Sequence, residues 1–297
     1  MKRKLIIGIS IVLIIIILVL GFTKLNIKPH EKNDKFKIVT SFYPMYVIAL
    51  NLTEGVENVE LENMADVSVG CLHEYTLVTK DLVKLENADV FIQNGLGVEL
   101  FMDKLISNYP NVSIIDSSLN VAKVLSEHDE ENGHIWLNID NYITQVQTIS
   151  NGLCTLDEKN VDIYKKNTEN YINKLKELKR KYDNINLEGN KVISFNEAFI
   201  YILDYLGINI IEVETEGEES IMSAKTLSSI IDTVKQEDIN VIFLDKNDNA
   251  RDAKIIENET NCKIYNLNSG LYGDLKKDSY INQMEQNLEI LKTVLDK

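Results

Sequence analysis

Asp89-Val90-Phe91-Ile92-Gln93-Asn94-Gly95 is a short apolar run closed by an Asn-Gly turn signal. Val98 to Ile106 then reads as a helix, and Val112-Ser113-Ile114-Ile115 as a further strand. The same alternation extends outward in both directions. Phe36-Lys37-Ile38-Val39-Thr40 is an earlier strand, followed by a helical pattern at Met45, Ile48, Ala49 and Leu52. A second series begins at Lys191 with the strand Val192–Phe195 and a helix from Glu197 to Leu206. It continues with the strand Ile208–Ile211, a helix from Ser223 to Glu237 and the strand Val241–Leu244. A helix around Ala250–Asn261, the strand Lys263–Leu267 and a helix from about Ser279 to Leu295 complete it. Short apolar strands alternating with helices imply an α/β fold of two lobes, each a parallel sheet flanked by helices.

One long helical segment lies between the two series, roughly Leu156 to Tyr182. Thr155-Leu156-Asp157-Glu158 has the form of a capping box at its start. Tyr164, Tyr171, Leu175, Leu178 and Tyr182 form an apolar stripe, and lysines solvate the rest. A single long rigid helix therefore joins the lobes, with ligands expected beyond the carboxyl ends of the strands, in the cleft. The expected partition is an N-terminal lobe over 37–154, the connecting helix over 155–184 and a C-terminal lobe over 185–297.

The N-terminus sets the location. Met1-Lys2-Arg3-Lys4 precedes an apolar run from Leu5 to Phe22. As a helix that run spans about 27 Å, enough to cross a hydrocarbon core. Three leading cations favour an N-terminus held in the cytoplasm, which places the remaining chain outside the cell. A cleaved signal peptide is the competing reading, but no small-x-small cleavage site follows the run. Residues 1–23 are expected to be a membrane anchor or uncleaved signal, and residues 24–36, polar and Lys-rich, a tether. The formal net charge is -15, carried by the portion beyond the basic N-terminus. Such a surface repels nucleic acid and concentrates cations. Three cysteines, Cys71, Cys154 and Cys262, give no even disulfide framework.

Only four histidines occur, and two follow strand ends in turn-like settings. They are His73 in Gly70-Cys71-Leu72-His73-Glu74-Tyr75 and His134 in Asn132-Gly133-His134-Ile135-Trp136-Leu137. Polar groups at Asn196-Glu197, Asp245 and Asn268 also stand at strand ends. Imidazoles with carboxylate or amide oxygens suit zinc and neighbouring first-row ions. Gly95-Leu96-Gly97 resembles a fragment of a dinucleotide-binding loop, but the third glycine is absent.

Several ordered stretches carry a family resemblance. They are Thr40-Ser41-Phe42-Tyr43-Pro44-Met45-Tyr46, His73-Glu74-Tyr75 with Thr79-Lys80-Asp81-Leu82, Ala88 to Glu99, His134-Ile135-Trp136-Leu137, and Ser194 to Phe199. Ser223-Ala224-Lys225 and the Asp245 segment also fit. Together they resemble the zinc/manganese solute-binding proteins of bacterial ABC importers over most of residues 37–297. The resemblance implies two α/β lobes joined by a rigid helix, no enzymatic activity, and capture of a divalent metal, Zn2+ first and Mn2+ second. It implies delivery to a membrane ABC permease, with the lobes on the extracellular side. It places metal ligands at His73, His134, Asn196 and Asn268.

Two of those positions depart from the family, which usually has His or Glu at the position of Asn196 and Asp at that of Asn268. An anion supplied by Glu197, Asp245 or Asp274, a thiolate from Cys71, or the segment Glu127-His128-Asp129-Glu130-Glu131-Asn132 are the alternatives. A relative that has lost tight metal binding and serves as an accessory surface protein is the second functional reading. A metallohydrolase is the third, but no HExxH-like spacing is present.

Overall fold

The structure is a computed structural model that describes residues 35–66, 69, 75–103, 105–123, 131–212 and 222–296. The expected anchor and tether over 1–34, together with Cys71, His73 and most of the 127–132 segment, lie outside the described residues. Among the described residues no helix is long and apolar enough to cross a membrane.

Two four-stranded parallel sheets form the framework. The first contains β1 (Phe36–Thr40), β2 (Val59–Asn63), β3 (Val90–Gln93) and β4 (Ser113–Asp116), in the order β2-β1-β3-β4. The second contains β5 (Lys191–Ser194), β6 (Asn209–Glu212), β7 (Val241–Asp245) and β8 (Lys263–Leu267), in the order β6-β5-β7-β8. All pairings are parallel. The repeated order puts a topological switch between β1 and β3 in one lobe and between β5 and β7 in the other. Ligands of such sheets bind beyond the strand ends at these switches.

The apolar runs are continuous because both sheet faces are covered. Val90 and Ile92 join the large central core, whereas Phe91 between them packs into an outer cluster with Val39, Leu85 and Met102. In the second sheet Val192 and Phe243 face the central core, and Ile193 and Ile242 face an outer cluster with Val234 and Ile256. β2 escapes the sequence reading. Its pattern Val-Glu-Leu-Glu-Asn alternates, and it is a partly exposed edge strand. Acidic side chains on such an edge discourage pairing with other chains.

The helices are α1 (Tyr43–Leu52), α2 (Thr79–Glu86), α3 (Leu100–Asp103), α4 (Ile139–Leu156), α5 (Val161–Asp183), α6 (Ile200–Tyr205), α7 (Ala224–Glu237), α8 (Arg251–Glu259) and α9 (Ser279–Leu295). The connecting helix, α5, begins five residues later than its sequence suggests. Thr155-Leu156-Asp157-Glu158 is the corner between α4 and α5, and not a capping box. Asp157 leaves helical geometry at φ -128° and accepts hydrogen bonds from Asn160 Nδ2 at 2.6 Å and Tyr164 OH at 2.8 Å. The helix expected over Val98–Ile106 shortens to α3 and a 3-10 turn over Ile106–Asn108. A tight turn still occupies residues 96–99.

α5 backs both lobes. Its stripe of Tyr164, Tyr171, Leu175, Leu178 and Tyr182 is buried. Asn167 Nδ2 donates to the carbonyl of Leu52 at the end of α1, and Tyr182 OH donates to the carbonyl of Met284 in α9. One core cluster runs from Ile38 and Val90 through Tyr171 and Leu175 to Phe243 and Leu288. Leu175→Ala should cost about 3 kcal/mol, as a fully buried leucine leaves a cavity. The measure is the denaturant midpoint, which should fall with an unchanged slope.

Candidate metal centre

His134 stands at the start of a 3-10 turn over Ile135–Leu137 that leads into α4, and it is only 3% exposed. Its orientation is set by Asn132, a buried residue of the preceding turn. The backbone N–H of His134 donates to Asn132 Oδ1 at 2.9 Å, and Asn132 Nδ2 donates to the carbonyl of Glu197 at 3.0 Å. Those two bonds fix which end of the carboxamide is oxygen. The same Oδ1 lies 2.9 Å from His134 Nδ1. An amide oxygen only accepts, so Nδ1 carries a proton, and in the neutral ring Nε2 then carries the lone pair. This is how metal-binding imidazoles are usually prepared, with the second nitrogen bonded to an oxygen that fixes the ring.

The loop that carries His134 also joins the lobes. Tyr201 OH, in α6, donates to the carbonyl of Asn132 at 2.8 Å. Trp136 Nε1 donates to the carbonyl of Ser269 at 2.7 Å, just beyond β8, and the carbonyl of Trp136 accepts from Tyr280 OH at 2.8 Å. The indole lies 5.1 Å from the His134 ring and 5.2 Å, edge-on, from Phe42 beyond β1. Gly270, at φ +75°, passes close above it, where a Cβ would lie 3.0 Å from Trp136 Nε1.

Among the described residues, the carboxylate paired with the imidazole is Glu197, with Oε1 3.7 Å from His134 Nδ1 and a side chain 55% exposed. Its reach is set by the 3-10 turn Glu197–Phe199, whose Asn196 cap is tied at both ends. Asn196 Oδ1 accepts from the Ala198 N–H at 3.0 Å, while its Nδ2 donates to the Asp248 carboxylate at 3.1 and 3.3 Å. Asn268 is turned toward α9: its N–H donates to Asn287 Oδ1 at 2.7 Å and its Nδ2 to Gln286 Oε1 at 3.3 Å. Asp245 closes the β7 end, accepting from the N–H groups of Asn247 and Ser269. Asp274 is an exposed carboxylate paired with Lys276 and Ser279, which hold it below the usual carboxylate range. Glu131 pairs with Lys123 at the surface.

Of the sequence-derived candidates, His134 and Glu197 are therefore brought together. Asn196, Asn268, Asp245 and Asp274 are each engaged in local structure. Among the described residues no three His, Cys, Asp or Glu side chains cluster as a metal shell. Asn132 is the residue whose role the sequence hides; an Asn-Gly pair signals a turn but not its tertiary partners. In metal-free protein at pH 8, long-range 15N–1H NMR should show His134 protonated at Nδ1. A proton at Nε2 would contradict the assignment.

Known proteins share this frame. The model of the family described as zinc-uptake complex component A, periplasmic, matches residues 38–294. The manganese-binding lipoprotein MntA of Halalkalibacterium halodurans is 25% identical over 292 residues, covering 94% of this chain and 95% of that protein. The zinc-binding protein AdcA of Streptococcus pyogenes is 28% identical, covering 100% of this chain and 62% of the relative. The solved structure of FpvC from Pseudomonas aeruginosa with Mn2+ superposes with a TM-score of 0.79 at 24% identity, over 88% of this chain and 98% of that one. With its doubly repeated parallel sheet and bridging helix, the chain belongs to the zinc-uptake complex component A family, the metal substrate-binding proteins of ABC importers, which are not enzymes.

Proposed function

We propose that this chain captures a divalent metal outside the cell, between its two lobes, and hands it to an ABC permease in the membrane. The observation that supports the reading best is the buried His134 imidazole, with Nδ1 bonded to Asn132 so that Nε2 carries the lone pair. In this reading Nε2 of His134 and the imidazole of His73 bind the ion. Glu197, half-exposed and lying on the Nδ1 side of the ring, supplies the anion that offsets the ion's charge once its side chain turns toward Nε2. Asn196 and Asn268 then act from behind the site, holding the turns beyond β5 and β8. Two imidazoles and one carboxylate suit zinc better than manganese, which favours oxygen-rich shells. Relatives vary in the metal they are named for: AdcA for zinc, MntA for manganese and MtsA for iron.

Residues 1–23 are proposed as the membrane anchor. The relatives MntA and PsaA are named lipoproteins. Here Phe22 stands where a lipidated cysteine would, so the apolar run from Leu5 does the holding.

The second reading, a relative without tight metal binding, draws support from Asn196 and Asn268, whose amides serve local structure. Calorimetric titration separates the two. Wild type should bind one zinc ion per chain, and the His73→Ala, His134→Ala double variant should bind none tightly. Asn132→Ala should weaken binding about 10–100-fold, the usual cost of losing such a support. If wild type shows no heat and no competition with a chelator, the second reading stands. Asn196→His with Asn268→Asp should then raise affinity by orders of magnitude, whereas a site completed by Glu197 should gain little. Affinity should also fall as the solution is acidified, because the neutral ring is the ligand and protons compete with the ion for it.

A further inference from the structure

Glu99 is a buried carboxylate, 4% exposed, that metal capture as proposed above does not employ. Its Oε1 accepts from the Asn94 N–H at 2.8 Å and its Oε2 from the Gly95 N–H at 3.1 Å. The turn so gripped is an unusual one. Gly95, Leu96 and Gly97 take φ of 88°, 53° and 79°, three successive left-handed residues of which the leucine is disfavoured. The glycine pair that resembles a nucleotide loop is thus a tight turn. There is no room for a side chain at Gly95, where a Cβ would lie 2.2 Å from Asp116 Oδ1.

The turn in turn grips the residue before His134. Asn94 Nδ2 donates to the carbonyl of Gly133 at 2.9 Å, and Asn94 Oδ1 accepts from Gln145 Nε2 at 3.0 Å. Gln145 also donates to Ser117 Oγ, which donates to the carbonyl of Asn94. Gly133 is pressed against the turn, since a Cβ on it would lie 2.5 Å from Val98 Cγ2. An unbroken chain of hydrogen bonds and one peptide unit therefore connects the Glu99 carboxylate to His134.

We propose that Glu99 is a positioning residue for metal capture: its ionised carboxylate holds the Asn94–Gly97 turn, which through Asn94 and Gly133 holds the His134 imidazole in its binding orientation. The proposal rests on the metal-capture reading, but its mechanical half is independent of any metal.

The arrangement also has a pH threshold. Burial pushes the Glu99 carboxyl up to about 7, and the facing Asp116 carboxylate adds to this; the neighbouring Ser41 hydroxyl and the two backbone amides partly offset it. The folded value lies above the ordinary 4.5, so the fold favours the protonated form. Glu99's contribution to stability accordingly declines as pH rises from about 4.5 to about 7 and is flat above. Above about 7 the clamp is ionised and its two charge-assisted bonds are at full strength. Below that the carboxyl is neutral, its bonds to the two N–H groups lose their charge assistance, and the turn loosens.

The test uses the full chain. In metal-free protein, 13C NMR should show the Glu99 carboxyl titrating near neutral pH. The Asn94 side-chain amide and the His134 backbone amide should share an inflection at that pH, and Glu99→Gln should abolish it in both. Zinc should bind Glu99→Gln about tenfold more weakly than wild type at pH 8 and equally at pH 5.5. The melting temperature of the variant should rise relative to wild type between those pH values. A Glu99 midpoint near 4.5, or an affinity ratio constant with pH, would overturn the proposal. If zinc fails to bind wild type at pH 8, the metal reading falls, and the shared inflection alone decides whether Glu99 positions His134. Should Glu99→Gln not fold, Asn94→Ala is expected to uncouple the His134 amide from a retained Glu99 titration; persistence of the coupling would overturn the proposal.

Discussion

The lobes are held at one separation by Trp136. Its indole N–H donates to the Ser269 carbonyl, its own carbonyl accepts from Tyr280, and its ring makes a T-shaped contact with Phe42. One buried residue thus bonds in both directions across the crevice, and leaving its N–H unpaired would cost about 1–3 kcal/mol. The close pass of Gly270 over the indole shows how little freedom remains. Behind it the stacked pair Tyr142–Tyr280, with centroids 3.6 Å apart, and the buried Tyr171 continue the contact to α5. These ties and the shared core behind them oppose a hinge-like opening between the lobes.

Burial explains what the sequence reveals. Strands buried on both faces must be apolar, so β3, β7 and the inner residues Ile38–Val39 of β1 and Val192–Ile193 of β5 stand out as unbroken runs. β2 does not, because an edge strand with Glu60 and Glu62 has only one covered face. α4 is obscured for another reason. Its buried side includes Asn141, Gln145 and Ser150, polar residues whose partners lie elsewhere in the fold, and they blur the helical stripe. The corner at Asp157 looks like a helix start because acidic residues serve both purposes. What decides is Tyr164, seven residues on, whose hydroxyl turns Asp157 into a corner post.

The site divides in the same way. His134 is legible because imidazoles are scarce here and the residues around it are distinctive. Asn132 and Glu99 are not, since an amide or a carboxylate takes its role from partners distant in sequence. Asn132 would read as a loop residue in any local window, yet it fixes the tautomer of His134 and joins that loop to Glu197.

Asn196 shows how a neighbour restricts the choice of ligand. Its Nδ2 lies 3.1 and 3.3 Å from the two oxygens of Asp248, a carboxylate that also accepts from the Asp245 N–H at the end of β7. A glutamate or aspartate at 196 would bring a second anion toward Asp248, and the repulsion raises the pKa of one of the two carboxylates. That carboxylate would hold its proton more tightly and be a weaker ligand. An amide meets Asp248 with a donor and meets the Ala198 N–H with an acceptor, satisfying both neighbours at once. A histidine could satisfy Asp248 too, with one ring N–H, and still offer its second nitrogen to an ion. With Asp248 in place, the anion that a captured cation requires is better carried one residue along. In the proposed site that residue is Glu197, at the exposed start of the turn and beside the imidazole.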